Sequence, residues 1–293
     1  ADFIEPDVVA TKDGVLVVRH ENEISGTTDV ADRAEFAALK TTKWVDGVPH
    51  TGWFTEDFTL AELKTLWCRE RLPQLRPQNV PLADSERILT FDEVLDLASG
   101  SPAGVYVETK HPSYFRSIGL DLNELLLEVL DRRGQNHVGG KVIIQSMETA
   151  NLKALRGRTE LPLIQLLDRT GAPYDLVATY DQRDYAALTT PGELAKIAEY
   201  ADGIGPNKSM VIARDLEHRL IGQTNLVRDA HATGLLVHIW TMRNENNFLP
   251  ADFKLSGKKS DPGDAMAELL AFFAAGVDGV FSDYTDTAVT ALA

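Results

Sequence analysis

The chain has 293 residues, 44% of them apolar, enough to bury a large core in one or two domains. Its 29 Lys and Arg against 44 Asp and Glu leave a net charge of −15, which excludes the basic footprint that a nucleic-acid or anionic-membrane surface requires, so a small anionic ligand needs a local positive site. No apolar run reaches the roughly 18 to 20 residues that span a bilayer, and the single cysteine, Cys68, rules out an internal disulfide and a multi-cysteine metal site.

The sequence opens on Ala1-Asp-Phe-Ile-Glu, already inside a strand pattern, with neither an initiator Met nor a signal peptide, so a segment ahead of Ala1 is expected. Residues 3–10 predict the first strand, and the turn Lys12-Asp13-Gly14 leads to a return strand over 15–19. Residues 35–84 break the rhythm with four Pro and three of the four Trp; they read as an insertion, with a short helix over 60–66 capped by Thr59.

Thereafter β-branched runs at 104–108, 141–145, 161–166, 203–206, 235–240 and 277–282 alternate with amphipathic stretches at 120–132, 191–201, 216–233 and 265–275. That alternation is the pattern of parallel βα units. Gly134, Gly234 and Gly276 fall where helix C-caps are expected. Seven parallel strands plus a hairpin return are one short of closure, so the expected fold is an α/β (β/α)8 TIM barrel: a single domain over 1–293, the insertion following the hairpin, and the first strand placed ahead of Ala1.

Barrel enzymes carry their chemistry at the C-terminal ends of the strands. The first visible strand offers Glu5 and Asp7, whose spacing of two puts both carboxylates on one face, a costly arrangement unless a cation is shared. A solvated strand face is the plain alternative. Glu108 and Lys110 end the next parallel strand as a third carboxylate and a compact positive charge for phosphate, or as a simple ion pair. His20 ends the return strand at hairpin distance from the carboxylates, where a histidine suits proton transfer near neutral pH. Gln145, Lys208 and Trp240 end or follow further strands and are read as substrate-binding, Trp240 as a pocket wall for an apolar substrate part.

The stretch Ala1-Asp-Phe-Ile-Glu-Pro-Asp-Val-Val-Ala-Thr-Lys-Asp-Gly-Val-Leu-Val-Val-Arg-His-Glu resembles the second strand and hairpin of the glycerophosphodiester phosphodiesterases. The resemblance continues through Val107-Glu108-Thr-Lys110, Ile144-Gln145-Ser146, His238-Ile-Trp240-Thr241 and Gly276-Val-Asp-Gly-Val-Phe-Ser-Asp283. It implies that Glu5, Asp7 and Glu108 bind a divalent metal, that His20 and Lys110 are catalytic, and that a glycerophosphodiester is cleaved to glycerol 3-phosphate and an alcohol. Two features depart from the family pattern: no His-Arg-Gly motif is present, and Glu21 stands where Asp is frequent.

An all-oxygen ligand set suits a hard cation, and the insertion resembles that of larger secreted bacterial members, which favours Ca²⁺ over Mg²⁺ and a secreted or periplasmic location. The partner is then a small-molecule glycerophosphodiester, without nucleic acid or stable membrane insertion, and the oligomeric state stays open. Three rivals share the barrel: a phospholipase D-like cleaver of sphingomyelin or lysophospholipid, a metal-stabilised binding module without catalysis, and a metal-dependent sugar isomerase or aldolase, which needs more His or a buried Schiff-base Lys.

Overall fold

The computed structural model describes residues 1–82, 85–255 and 257–293. Two compact units are present, Asp2–Leu161 and Pro162–Ala293. The first contains strands β1 (Phe3–Ile4), β2 (Asp7–Ala10), β3 (Leu16–Val18), β4 (Thr41–Val45), β5 (Val48–Gly52), β6 (Gly104–Thr109) and β7 (Val142–Ser146). Their order is β7-β6-β2-β3, with β1 also on β6; the β2–β3 pair is antiparallel and the pairs around β6 are parallel. Every residue of β6 is buried, as a parallel strand covered on both faces requires.

The strand expected over 3–10 is broken in two. Pro6 has no N–H to give to a ladder, and the pairing resumes on either side of it in unchanged register, Phe3 opposite Gly104 and Asp7 opposite Glu108. Glu108 N donates to Pro6 O at 3.0 Å across the break. The interruption therefore leaves Glu5 and Asp7 flanking a proline while both stay beside the end of β6.

Helices α1 (Leu60–Leu63), α2 (Phe91–Ser99), α3 (Pro112–Ser117), α4 (Leu122–Arg132) and α5 (Thr149–Arg156) complete this unit. Thr59 with Glu62, and Thr90 with Glu93, form capping boxes on α1 and α2, which satisfy backbone donors that a helix start otherwise leaves open. Gly134, at φ +61°, closes α4: its N–H reaches Asp131 O at 3.0 Å and that of Gln135 reaches Leu130 O at 2.8 Å, the paired bonds of a Schellman motif.

Of the segment expected as an insertion, Ala83 and Asp84 lie outside the described residues. The rest carries the β4–β5 hairpin, turning on Asp46 and Gly47, both at positive φ. Phe36 packs edge-on against Phe58 at 5.1 Å, and Trp53, Phe54, Leu63 and Leu66 of the same segment are buried. Each such side chain contributes ~1.5–3 kcal/mol on burial. The segment is stitched to the preceding chain by Lys12 N to Phe58 O and Ile24 N to Trp53 O, both 2.8 Å.

The second unit holds β8 (Leu163–Leu167), β9 (Gly203–Pro206), β10 (Ile212–Arg214), β11 (Leu220–Gln223), β12 (Leu236–Met242) and β13 (Gly279–Ser282). Strands β8, β9, β12 and β13 run parallel in that order, and β10–β11 is a separate antiparallel hairpin. Helices α6 (Tyr174–Ala178), α7 (Tyr185–Leu188), α8 (Pro191–Ile197), α9 (Leu226–His231), α10 (Ala265–Ala274) and α11 (Thr285–Leu292) belong to it.

The helix expected over 216–233 is corrected here. Only 226–231 is helical, and the earlier part is hairpin. Leu216 and Ile221, which supplied the helical spacing, are 96% and 65% exposed and mark no buried face; Gly222 at φ +137° adopts a backbone that an α-helix cannot use. No helix among the described residues is long and apolar enough to cross a membrane.

Candidate active site

Three elements of the first unit meet at the carboxyl end of β6. Parallel register sets Asp7 opposite Glu108 and Glu108 opposite Gln145. The hairpin brings its return strand back so that Arg19 N donates to Asp7 O at 3.0 Å, which delivers His20 to the same edge. Glu5, Asp7 and Glu108 each offer a carboxylate oxygen, all within 4.8 Å of one another.

This proximity has an electrostatic cost. The protein packed around Glu5 withdraws water from its carboxyl although the residue keeps an accessible edge; that desolvation, then repulsion by Asp7 and Glu108, pushes it up to about 9. Burial pushes Glu108 up to about 7, with Lys110 pulling it down and Asp7 raising it. Lys110 lies 2.9 Å from Glu108 Oε1 and 3.3 Å from Asp7 Oδ1. Burial works against its charge, yet Glu108 and Asp7 outweigh that and hold the ammonium firmly protonated. One cation faces three carboxyl groups, so the cluster lacks positive charge.

A hard cation fits that deficit. The donors are carboxylate oxygens, the ligand type of Ca²⁺ and Mg²⁺. Beside them Gln145 Nε2 donates to Glu5 Oε1 at 2.7 Å, while the buried Gln145 Oε1 has no hydrogen-bond partner, a neutral oxygen donor left over at the edge of the cluster.

His20 is half-exposed. Its Nδ1 lies 2.6 Å from Glu21 Oε1 and its Nε2 3.5 Å from Lys110 Nζ. Thus Glu5, Asp7, His20, Glu108, Lys110 and Gln145, singled out along the sequence, are neighbours in space. Three residues given no role there adjoin them: Arg71 from the insertion, 3.6 Å from Glu21 Oε1, and Asp46, 2.5 Å from the ring of His111, which follows Lys110 at φ +53°. These contacts join distant chain segments, and no periodicity announces them.

Lys208 and Trp240 belong to the second unit. Trp240 Nε1 donates to Gly205 O at 2.7 Å, fixing the ring against β9. Lys208 Nζ lies 2.8 Å from the fully buried Glu268, which Arg214 also reaches at 2.9 Å. Burial lowers Lys208 and raises Glu268 from their ordinary values, each opposed by the other's charge. Breaking one side of a buried pair costs ~3 kcal/mol or more. Lys208→Met should therefore lower the unfolding free energy by about 3 kcal/mol in a denaturant titration; unchanged stability with a raised KM would instead mark Lys208 as a substrate contact.

Residues 1–287 match the model of the glycerophosphoryl diester phosphodiesterase family. The chain belongs to that family. It is 36% identical over 300 residues to the Arabidopsis thaliana glycerophosphodiester phosphodiesterase GDPD6, covering 97% of this chain and 76% of that protein. It is 30% identical to a Haemophilus influenzae glycerophosphodiester phosphodiesterase, over 99% of this chain and 81% of the other. Among solved structures, a glycerophosphoryl diester phosphodiesterase described as putative, from Silicibacter pomeroyi, superposes with a TM-score of 0.66 at 19% identity, over 100% of this chain and 83% of that one. An Oleispira antarctica phosphodiesterase, solved with the product sn-glycerol-3-phosphate, gives 0.61 at 17% identity, over 99% and 85%. The expected family and fold class, a TIM-barrel-like α/β fold, are both borne out.

Proposed function

We propose that this enzyme hydrolyses glycerophosphodiesters to glycerol 3-phosphate and an alcohol, with a divalent ion, Ca²⁺ before Mg²⁺, held by Glu5, Asp7 and Glu108. The observation that carries the reading is the carboxylate triad beside Lys110 and His20 in a chain that belongs to this family. Bound there, the ion supplies positive charge to a phosphate oxygen. In the reaction the glycerol 2-hydroxyl attacks phosphorus, the alcohol departs with a proton, and water opens the cyclic phosphate. His20 moves a proton at Nε2, the ring nitrogen not engaged by Glu21. Lys110 faces charge developing on the phosphate. Gln145 steadies Glu5.

A panel of glycerophosphodiesters, sphingomyelin and lysophospholipid, assayed for free glycerol 3-phosphate and free alcohol, tests the reading. Turnover of the lipids alone would replace it with lipid cleavage. Lys110→Met should lower kcat/KM by ~10² or more, because the lost charge acts in the transition state. Kinetics unchanged in that variant would leave Lys110 as counter-ion to Glu108 and nothing more.

A further inference from the structure

Charged side chains grip both ring nitrogens of His20. Nδ1 is 2.6 Å from Glu21 Oε1. An ionised carboxylate only accepts, so Nδ1 carries the hydrogen. Nε2 is 3.5 Å from the Lys110 ammonium, which only donates, so Nε2 presents a lone pair. Glu21 is kept ionised: it lies below its ordinary value, first through the hydrogen bond from His20 and further through the charges of His20, Arg71 and Lys110. The third member is Arg71, whose Nη1 stands 3.6 Å from the same Glu21 oxygen. It comes from the insertion, some fifty residues along the chain from His20.

The charged groups around the imidazole are thus Glu21 on its own segment, Lys110 at the end of β6 with Asp7 and Glu108 behind it, and Arg71 across from Glu21. From this geometry we infer that Glu21 is a positioning residue that fixes the tautomer and aim of His20, and that Arg71 tunes it from the insertion. The inference rests on the proposed role of His20 in proton transfer. It assigns the insertion a part in the reaction, since its guanidinium draws on the carboxylate that would otherwise act on His20 alone. The Glu21 carboxylate presents negative charge to Nδ1, and the Arg71 guanidinium offsets that charge from the other side. The two residues therefore act on His20 with opposite signs.

The test uses the intact, Ca²⁺-loaded chain with sn-glycero-3-phosphocholine and compares Glu21→Gln, Glu21→Asp, Arg71→Met and His20→Ala. Glu21→Gln should lower kcat by about 10- to 100-fold with KM little changed, because an amide can turn its NH₂ toward Nδ1 and select the wrong tautomer. It should also move the acid limb of kcat/KM to lower pH by about half a unit or more, and Arg71→Met should move the same limb to higher pH. Glu21→Asp should recover most of the loss, and calorimetry should find Ca²⁺ binding unaltered in all four proteins.

If Glu21→Gln stays within a factor of about two of the parent and its limb does not move, while His20→Ala is inactive, the positioning role is wrong. Limbs displaced in the same direction by Glu21→Gln and Arg71→Met overturn the opposing roles. Near-normal turnover by His20→Ala instead overturns the reading beneath, in which His20 handles the proton.

Discussion

Stripping divalent ions from the protein with a chelator should reduce glycerophosphodiester hydrolysis to background, and Ca²⁺ should restore more of it than Zn²⁺, whose preference for nitrogen and sulfur ligands three carboxylates do not meet. The melting temperature should fall as well, since an ion present at a hundredfold over its Kd stabilises the fold by about 2.7 kcal/mol. The size of the fall should depend on pH. Glu5 and Glu108 are raised above the ordinary carboxyl value of 4.5, to about 9 and about 7. A carboxyl raised on folding adds stability that is fully present below its unfolded value and is lost as pH climbs through the folded one. The ion-free protein should therefore weaken progressively between about pH 4.5 and 9, and added Ca²⁺ should hold its melting temperature up over that interval, because ion and proton compete for the same oxygens. Full activity in excess chelator after dialysis, or a gap between the two melting curves that narrows toward pH 9, would remove the ion from Glu5, Asp7 and Glu108.

The second large effect is on His20. A positioned acid or base contributes ~10² to 10⁴ in rate, so His20→Ala should lower kcat by that order and erase one limb of the pH profile. Its side chain is 50% exposed. Melting temperature and Ca²⁺ affinity should accordingly stay near those of the parent protein. A structural histidine would give the reverse, a large thermal loss with kcat preserved.

Much of this fold can be read along the chain because its elements are dictated locally. The run from Gly104 to Thr109 has no polar alternation until Glu108, and it is buried throughout. Thr59 and Glu62, three apart, start α1, although that helix stops at Leu63 rather than continuing to residue 66. Glu5, Asp7, Glu108 and Lys110 were legible because spacing of two on a strand fixes a common side before any tertiary contact is known. Where pattern misled, a backbone or exposure effect prevailed: Pro6 divides the first strand, and the apolar spacing from Leu216 onward belongs to exposed hairpin residues. Arg71 beside Glu21 and Asp46 beside His111 were illegible for a different reason. Each contact spans some fifty or more residues, and its members share no period with one another.

Lys110 gives the carboxylate cluster a cation that travels with the polypeptide. A site built from three acids alone would hinder the chain from closing until a metal arrived, tying synthesis to local ion supply. With an ammonium already seated against two of those acids, part of the counter-charge is present from the moment the strands pair. Closing the fold and filling the site are thereby separable events, since the lysine arrives with the strand that carries Glu108.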